Sequence, residues 1–386
     1  MADTWSGVCR QCVAVIADIP TPVLLTTGLA TVLGLIVLFY TFLSFVAPVP
    51  REPLPEEKEF TTLLEDGTIA EPQPLPCWFD GVKAAKRAGQ PAKLEPAELF
   101  MSVVVPAYNE EDRLAGMLEE AVNYLEQMYG TLGRESESAI ETRSTRKRKP
   151  NGNATNGHAT VSATTRGWEI IIVSDGSTDR TEEVAFRFAK EHQLSLHPKG
   201  HAGPWTPQAS EGVHIPSGTI RFVTLTHNRG KGGAVTHGLR HVRGQYVVFA
   251  DADGASKFTD LGKLVNACQE IEDADGRGWL WDLGRTWLAA RLWSRTATIK
   301  DTQCGFKLFS RAALPFIVPY MHSEGWIFDV EMLMLAEFAS IPVAEVPVGW
   351  REVLGSKLNV LRDSIGMAWG LAVLRAAWSL GIYRQQ

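Results

Sequence analysis

Hydrophobic positions along the chain fall into two kinds of run. One uncharged stretch, TPVLLTTGLATVLGLIVLFYTFLSFVA, extends from residue 21 to residue 47. As a helix it would be about 40 Å long, which exceeds the roughly 30 Å hydrocarbon core of a bilayer. It is too long for the apolar core of a signal peptide and lacks a basic region before it. The pattern therefore predicts an uncleaved, tilted transmembrane anchor after a flank of residues 1–20, and the flanking charges leave its orientation open.

The second kind of run is short, rich in β-branched residues and repeated four times, at 101–108, 169–176, 219–227 and 245–253. Polar residues and then a helical pattern follow each run, which predicts alternating strands and helices. Repeated units of this kind form a mainly parallel sheet with helices on its faces. We therefore expect an α/β domain over residues 99–360, in which ligands bind beyond the carboxyl ends of the strands.

Three segments depart from this alternation. Residues 48–98 begin with a proline- and acid-rich stretch, which predicts a linker and membrane-proximal segment. Residues 131–166 have almost no large apolar side chains and are expected to form a disordered insertion. The C-terminal segment 361–386 is apolar but carries Arg375. Because a central arginine opposes insertion across a bilayer, we expect an amphipathic helix at the membrane interface, and a buried helix of the domain is the alternative.

Composition narrows the classes of function. The chain has 386 residues, a net charge of -6 and a pI near 5.9, which argues against a nucleic-acid-binding protein. Its five cysteines are an odd number scattered along a long chain, so no disulfide scaffold is expected. Cys9 and Cys12 have the spacing of a metal or redox motif, but no second pair or nearby histidine completes a zinc site.

The fourth predicted strand ends in a pair of carboxylates. Asp251 and Asp253 lie one residue apart, so the alternation of a strand sends both side chains to the same face. Two hard carboxylates at one point suit Mg²⁺ or Mn²⁺, held by these residues together with substrate phosphates. An isolated pair of this kind is more often a solvated turn. Ligand-suited residues at all four strand ends favour metal-assisted chemistry on a diphosphate.

The first two strand ends add candidate binding residues. The first carries Pro106, Tyr108, Asn109 and Glu110, and Tyr108 offers a face for stacking. Asn109 is also a good helix cap, which is the alternative explanation for its presence. The second strand ends at Asp175 before a glycine, where ordinary turn chemistry would explain much of the sequence.

The third strand end reads NRGKGG and interrupts the start of a helix with Gly230, Gly232 and Gly233. Glycines weaken a helix, so a cluster of them indicates a close approach of the backbone, for example to a ligand. Arg229 and Lys231 beside a helix N-terminus suit phosphate oxygens. A flexible glycine loop without function is the alternative.

Taken in order, the motifs of the chain resemble those of a known family. They are VVVPAYNEEDRL, IIIVSDGSTDRT, NRGKGGAV, FADADGASKF, DTQCGFKLF and GWIFDVEML. This succession resembles the family 2 glycosyltransferases with a GT-A (Rossmann-like) fold, over roughly residues 100–360 with one gap. GKGGAV and QCGFKLF resemble the branch that transfers glucose to dolichyl phosphate at the endoplasmic reticulum, and a mannosyltransferase-like enzyme is the alternative.

The resemblance implies substrates and roles for particular residues. The donor would be UDP-glucose and the acceptor dolichyl phosphate, giving dolichyl β-D-glucosyl phosphate for protein N-glycosylation. The chain would be anchored in the endoplasmic reticulum membrane with its catalytic domain in the cytosol. Asp251 and Asp253 would bind the metal that bridges the diphosphate, and Arg229 and Lys231 would assist on the phosphates. Six further residues would contact substrate, the first five around the uridine: Pro106, Tyr108, Asn109, Glu110, Asp175 and Gln303.

The resemblance also singles out Asp329 and Glu331 in GWIFDVEML, where relatives that act on hydroxyl groups would place a general base. A phosphate monoester has a second pKa near 6, so the acceptor oxygen is largely ionised at neutral pH and needs no strong base. These two carboxylates are therefore expected either to orient the acceptor or to pack within the domain.

One segment departs from the family pattern. Residues 276–300 are shorter than the corresponding segment of the family, where relatives carry GSRAHL and further basic residues in a loop expected to hold the sugar and the lipid phosphate. A catalytically impaired domain that binds only nucleotide is therefore an alternative to the active transferase. A processive polysaccharide synthase is not favoured, because the chain lacks a QxxRW motif and the several membrane spans of such enzymes.

Overall fold

A computed structural model gives the structure of the protein. It describes residues 20–90, 94–130, 166–208, 211–274, 301–353 and 360–384. The chain forms two compact units, one of Val49–Met367 and one of Met1–Pro48 with Ala368–Gln386. The predicted insertion, except for its last residue, and the divergent segment 276–300 lie outside the described residues.

A five-stranded sheet forms the centre of the larger unit. Two short strands, β1 (Glu59–Phe60) and β2 (Gln73–Pro74), form a separate antiparallel pair. The main sheet consists of β3 (Leu99–Ala107), β4 (Trp168–Asp175), β5 (Ile220–Leu225), β6 (Gly244–Ala250) and β7 (Phe306–Ser310). Its order is β5-β4-β3-β6-β7, in which the first four strands are parallel and β7 runs antiparallel to β6. The predicted α/β class with a mainly parallel sheet is confirmed.

The helices follow the strands in the alternation that the sequence predicts. They are α1 (Thr21–Val46), α2 (Trp78–Arg87), α3 (Leu114–Tyr129), α4 (Thr181–Leu194), α5 (Lys231–Leu239), α6 (Leu261–Ala274), α7 (Leu314–Ile317), α8 (Phe328–Phe338) and α9 (Val360–Ser379). Short 3₁₀ turns lie at Pro55–Lys58, Phe258–Asp260, Arg311–Ala313 and Val318–Tyr320.

Both faces of the sheet are covered, because successive side chains of a strand point to opposite sides. Val103 and Val105 of β3 belong to one buried hydrophobic cluster with Leu118 of α3. On the other face α5 packs closely, and a methyl group at Gly238 would lie 2.5 Å from the side chain of Val104. Helices therefore enclose the sheet and leave its carboxyl edge as the place for a site.

The helix α1 has the length and composition of a membrane span. It has 26 residues and a mean hydropathy of 2.4 over its most apolar window, of which 6% is buried. Among the described residues it is the only helix that passes this test. In the same unit, the Tyr383 hydroxyl donates a 2.6 Å hydrogen bond to the Pro48 carbonyl. The helix α9 forms where the sequence predicts one, and its interfacial position stays a prediction.

Part of the segment expected to be a linker is folded onto the domain. Glu57 is fully buried and accepts a 3.0 Å hydrogen bond from the Thr226 amide. Thr61 exchanges two backbone hydrogen bonds, of 2.9 and 2.8 Å, with Phe222 of β5. Leu63 is part of the hydrophobic core. The structure differs from the expected linker here because a buried glutamate and a few apolar side chains find partners that composition does not reveal.

Candidate functional site

The site lies at the carboxyl edge of the sheet, between two strands whose connections leave in opposite directions. The chain passes from β3 to β4 on one side, and from β6 to β7 on the other. Ligands of doubly wound sheets bind at such a switch point. The residues that follow β3 and those that follow β6 therefore face one crevice.

An ion pair lies at the centre of this crevice. Lys231 Nζ, at the start of α5, is 2.7 Å from Asp251 Oδ1 at the end of β6. Burial lowers the pKa of Lys231, but the carboxylates of Asp251, Asp329 and Asp253 raise it further than burial lowers it. An ammonium group that is charged at neutral pH thus lies among three carboxylates, and Asp251 keeps 29% of its side chain exposed.

Asp253 and Glu110 are linked through a residue that the sequence analysis did not select. Arg113 donates two hydrogen bonds of 2.7 Å to the carboxylate of Glu110, in the bidentate geometry that arginine favours. Its Nη1 atom also lies 3.7 Å from Asp253 Oδ2. The loops after β3 and β6 are therefore joined by one guanidinium group.

The carboxylates of Asp251 and Asp253 fit a hard divalent cation. Both are partly exposed, with 29% and 27% of their side chains accessible. A pair of carboxylate ligands is the number that Mg²⁺ usually takes from a protein when substrate phosphates supply further oxygens. Gly305, the residue before β7, lies directly beside Asp251, since a Cβ at Gly305 would overlap the Asp251 carboxylate.

Asp329 also belongs to this charged cluster. Its Oδ1 atom accepts a 2.6 Å hydrogen bond from Lys307 Nζ, and only 2% of the residue is exposed. Burial raises the pKa of Asp329, and the lysines 307 and 231 oppose that rise without cancelling it. Lys307 also donates to the Cys304 carbonyl at 2.6 Å, so its ammonium group is held in place from two sides.

Glu331 does not join the cluster, although it lies only two residues from Asp329. Its carboxylate is completely buried and accepts hydrogen bonds from the backbone amides of His322, at 2.9 Å, and Ser323, at 2.7 Å. His322 Nδ1 lies 3.2 Å from the same carboxylate. Glu331 therefore fixes the loop before α8.

The residues expected around the uridine lie at the ends of β3 and β4. Pro106 is paired with Val173 within the sheet, and Tyr108 is 41% exposed beyond it. Asp175 is buried and accepts a 2.6 Å hydrogen bond from the Arg229 amide. Burial raises its pKa to about 6, although backbone donors oppose the rise.

Asn109 connects two of these strand ends directly. It has a φ of 55°, in the left-handed region that asparagine tolerates better than most residues. Its Oδ1 atom accepts a 2.7 Å hydrogen bond from the backbone N–H of Thr178. The backbone N–H of Asn109 donates to Ser177 Oγ at 3.0 Å. The side chain therefore fastens the loop after β3 to the loop after β4.

The glycine-rich loop packs against the protein's own chain. A Cβ at Gly230 would lie 2.5 Å from the Glu324 carbonyl oxygen, and one at Gly232 would lie 2.5 Å from Phe328 Cβ. Arg229 forms an ion pair with Glu324 and donates to the Arg51 carbonyl at 2.8 Å. The close approach that the glycines predict is thus to residues 324–328, and Lys231 is the basic residue of this loop that enters the acidic cluster.

A cavity of about 840 Å³ opens beside the charged cluster. Asp251, Gly305 and Lys307 line one part of it, and Gln303, whose amide nitrogen lies 3.1 Å from Met367 Sδ, also lines it. The rest is mainly apolar and includes Leu264, Ile271, Leu308, Ile317, Met332 and Ile341. Such a cavity suits a ligand with a charged end and a hydrocarbon body.

Sequence reasoning overlooked Arg113, Lys307 and Glu324. Arg113 was detectable, because it stands three residues after Glu110 at the start of a helix, where side chains meet. Lys307 lies inside the QCGFKLF motif but carried no local signal of its ion pair. Glu324 was not detectable, because its partner Arg229 is 95 residues away.

The chain is similar to one family model and to several known proteins. The model of the family described as Glycosyl transferase family 2 matches residues 206–313. A dolichyl-phosphate β-glucosyltransferase of Saccharomyces cerevisiae is 35% identical over 393 residues, covering 94% of this chain and 95% of the relative. The human protein of that name is 34% identical over 304 residues, covering 74% and 77%. A solved glucosyl-3-phosphoglycerate synthase of Mycobacterium tuberculosis, bound to Mn²⁺ and UDP, has 17% identity and a TM-score of 0.38 over 81% of this chain and 87% of its own.

Proposed function

The chain belongs to the dolichyl-phosphate β-glucosyltransferases of glycosyltransferase family 2, and from this premise we propose that it transfers glucose from UDP-glucose to dolichyl phosphate. One observation supports this more than any other. The carboxylates of Asp251 and Asp253, with Lys231 and Lys307, adjoin a mainly apolar cavity. A sugar diphosphate needs the charged groups, and a lipid phosphate needs a charged group next to an apolar surface.

The donor would bind across the ends of β3 and β4. Tyr108 presents an exposed ring on which a uracil base can stack, and Asn109, Glu110 and Asp175 border the same loops. Asp175 would accept a hydrogen bond from the nucleotide while its other oxygen stays bound to the Arg229 amide. Pro106 and Ala107 are the last paired residues of β3, and the chain continues from them to Tyr108 and Asn109.

Asp251 and Asp253 would hold Mg²⁺ or Mn²⁺ against the diphosphate. When bound, the metal would neutralise the negative charge that develops on the departing UDP. Lys231 would add a second positive charge on the same phosphates, because it already lies 2.7 Å from Asp251. Arg113 would keep Asp253 in place through its link with Glu110.

The transfer itself would be an in-line displacement that inverts the anomeric carbon. A bond forms between an oxygen of the acceptor phosphate and C1 of glucose, and the bond from C1 to the β-phosphate oxygen breaks with its electron pair leaving on UDP. The acceptor oxygen is already largely ionised at neutral pH, so no proton has to be removed. Asp329 would orient Lys307, whose ammonium group would bind the acceptor phosphate.

The cavity would take the first isoprene units of the acceptor. Its polar part contains Lys307 and Asp251, and apolar side chains of α6, α7 and α8 line the remainder. Gln303 borders the same space and would contact the substrate near its phosphate. We place the anchor α1 in the endoplasmic reticulum membrane with the catalytic unit in the cytosol, as the resemblance to the family implies.

A transfer assay tests this proposal. Membranes that contain the full-length chain are incubated with labelled UDP-glucose, dolichyl phosphate and Mn²⁺ or Mg²⁺, and labelled lipid is extracted. We expect glucosyl lipid from the parent, none from Asp253→Asn, and parental amounts from Glu183→Gln, whose side chain is 63% exposed on α4. A parallel incubation uses labelled GDP-mannose as the donor. Labelled lipid from GDP-mannose and none from UDP-glucose would indicate the mannosyltransferase alternative. Metal-dependent UDP binding without any glucosyl lipid would indicate an impaired domain.

A further inference from the structure

A second group of metal-ligating side chains lies away from the catalytic crevice. Glu119 of α3, His192 of α4 and His201 after α4 each offer one ligand atom, and these atoms lie within 4.8 Å of one another. Among the described residues it is the only group of three or more such side chains. It shares no residue with the crevice at the carboxyl edge of the sheet.

One ring nitrogen of His192, Nε2, has no hydrogen-bond partner. Its Nδ1 atom lies 2.9 Å from the Val213 carbonyl oxygen, and this bond requires a hydrogen on Nδ1. The Nε2 atom of a neutral ring then carries a lone pair, and it lies 3.0 Å from Glu119 Oε2 without forming a hydrogen bond. The side chains of His192 and Glu119 are 0% and 1% exposed. A buried nitrogen lone pair beside a buried carboxylate needs a cation that both atoms can reach.

The second histidine is arranged in the same way. His201 Nε2 lies 2.9 Å from Glu191 Oε2, so this nitrogen carries the hydrogen and Nδ1 remains for a metal. The His201 amide donates to Glu119 Oε2 at 3.1 Å, which holds the residue beside the carboxylate. Metal-bound histidines usually donate their other N–H to a carboxylate or a backbone carbonyl, and here one histidine does each.

The surrounding chain is closed tightly over the three residues. A Cβ at Gly212 would lie 2.5 Å from His192 Cε1 and 2.9 Å from Glu119 Oε1. The Glu119 Oε1 atom also accepts a 2.9 Å hydrogen bond from Asn123, so its orientation is fixed. The loop between α4 and β5 is thus pressed against both helices at this point.

We propose that Glu119, His192 and His201 bind a zinc ion that fastens the loop between α4 and β5 to α3 and α4. Two imidazole nitrogens and one carboxylate form a ligand set that favours zinc over magnesium. The fourth position of a tetrahedral ion would hold water, which can enter because 28% of the His201 side chain is exposed. A proton in place of the ion, giving a buried imidazolium–carboxylate pair, is the competing arrangement.

Zinc content distinguishes the two arrangements. The full-length chain carrying Cys9→Ser and Cys12→Ser, which removes the other zinc-suited pair, is purified in detergent without chelator and equilibrated with buffered zinc. We expect about one zinc ion per chain by elemental analysis. His192→Gln and His201→Gln should each lose most of it, whereas His197→Gln, at a side chain that is 79% exposed, should keep it. Cobalt substitution should add the visible absorption of a tetrahedral site to the parent alone.

Two results would overturn the proposal. The first is a parent protein that holds less than about a tenth of an equivalent of zinc at micromolar free metal. The second is a zinc content that the His192 and His201 substitutions leave unchanged. If these variants do not fold, the parent stoichiometry and the cobalt spectrum still decide, because a proton-bridged pair gives neither. Chelation with EDTA should also lower the midpoint of thermal unfolding of the parent, and a proton-bridged pair predicts no such shift.

Discussion

Lys231 Nζ and Asp251 Oδ1 lie 2.7 Å apart and join the start of α5 to the end of β6. The two residues are adjacent only because β5 and β6 are parallel strands whose carboxyl ends share one edge of the sheet. The lysine occupies one carboxylate oxygen that a divalent cation would also use. It therefore competes with the metal for Asp251 before the donor binds, and it is already in place for the phosphates of the donor.

Replacing Lys231 with methionine should separate these two effects. Removal of one hydrogen-bond donor to developing negative charge lowers turnover by about 10² to 10³ fold, and we expect loss of the Lys231 ammonium group to cause a fall of that order. Binding of Mn²⁺ without nucleotide should be unchanged or tighter, because the competing ammonium group is gone. Initial rates and Mn²⁺ titration measure the two quantities. Lys263→Met, at a 57% exposed side chain on α6, is the matched control, and weaker Mn²⁺ binding in Lys231→Met would contradict this account.

The link from Glu110 through Arg113 to Asp253 predicts coupled effects of mutation. Arg113→Lys keeps the charge but loses the bidentate geometry, so transfer should fall about tenfold or more. Glu110→Gln should act through the same link, and the double variant should be less impaired than the sum of the singles, with a coupling of about 0.5 to 3 kcal/mol. Initial rates at saturating substrates provide the cycle. Arg187→Gln, from an exposed pair with Glu183, should leave the rate unchanged, and strict additivity would exclude the link.

The sequence predicted the parts of the site that depend on local pattern. Asp251 and Asp253 follow an apolar run, and a strand places them at the sheet edge. The sequence also contains the reason why Asp329 and Glu331 contact different partners. Residues two apart on a helix do not face each other, so one carboxylate meets Lys307 while the other meets the loop at His322.

Long-range partners account for what the sequence did not reveal. The glycines at 230 and 232 correctly indicate a close approach, but only the folded chain shows that residues 324–328 are what approaches. In the segment after α1, proline and acidic residues suggested a linker. The burial of Glu57 against the Thr226 amide depends on a residue 169 positions away. The composition of a short stretch of sequence cannot show a contact between residues so far apart.

Replacing Asp329 with asparagine tests whether the enzyme needs a general base. Asparagine can still accept a hydrogen bond from Lys307, so the acceptor phosphate should remain oriented and turnover should fall less than about tenfold. General-base catalysis typically contributes 10² to 10⁴ fold to the rate, so a loss in that range would show that Asp329 acts as a general base. The rate with dolichyl phosphate as a function of pH should keep its shape. Asp273→Asn, at an exposed position of α6 away from the cavity lining, is the control.

Gly305 predicts a steric effect on the metal-binding carboxylate. A methyl group at this position would overlap Asp251, and such overpacking typically costs about 1 to 3 kcal/mol. We expect Gly305→Ala to remain folded while Mn²⁺-dependent transfer falls strongly, because the carboxylate must move. Circular dichroism and the transfer assay measure the two outcomes. Gly366→Ala, where a Cβ meets nothing within 4 Å, should be silent, and full activity of Gly305→Ala would show that Asp251 tolerates displacement.

Two buried histidines hold the segment after α1 against the domain and make its attachment depend on pH. His237 Nε2 donates to the Glu57 carbonyl at 2.8 Å, and His241 Nδ1 donates to the Pro76 carbonyl at 2.9 Å. Burial lowers the pKa of His237 to about 3, with the neighbouring His241 and Arg240 adding to the effect. Burial likewise lowers the pKa of His241 to about 4. Both rings are therefore neutral in the folded protein at neutral pH.

Stability should consequently fall as the pH drops below about 6.5, where histidines of the unfolded chain take up protons and these two do not. At pH 5 the loss is about 2 kcal/mol for each histidine, and above about pH 7 their contribution is constant. Thermal unfolding between pH 7.5 and pH 5 measures the slope. Glutamine at 237 and asparagine at 241 offer an amide nitrogen to the same carbonyls without titrating, so the double variant should show a flatter dependence. An unchanged slope would mean that other groups control the acid sensitivity.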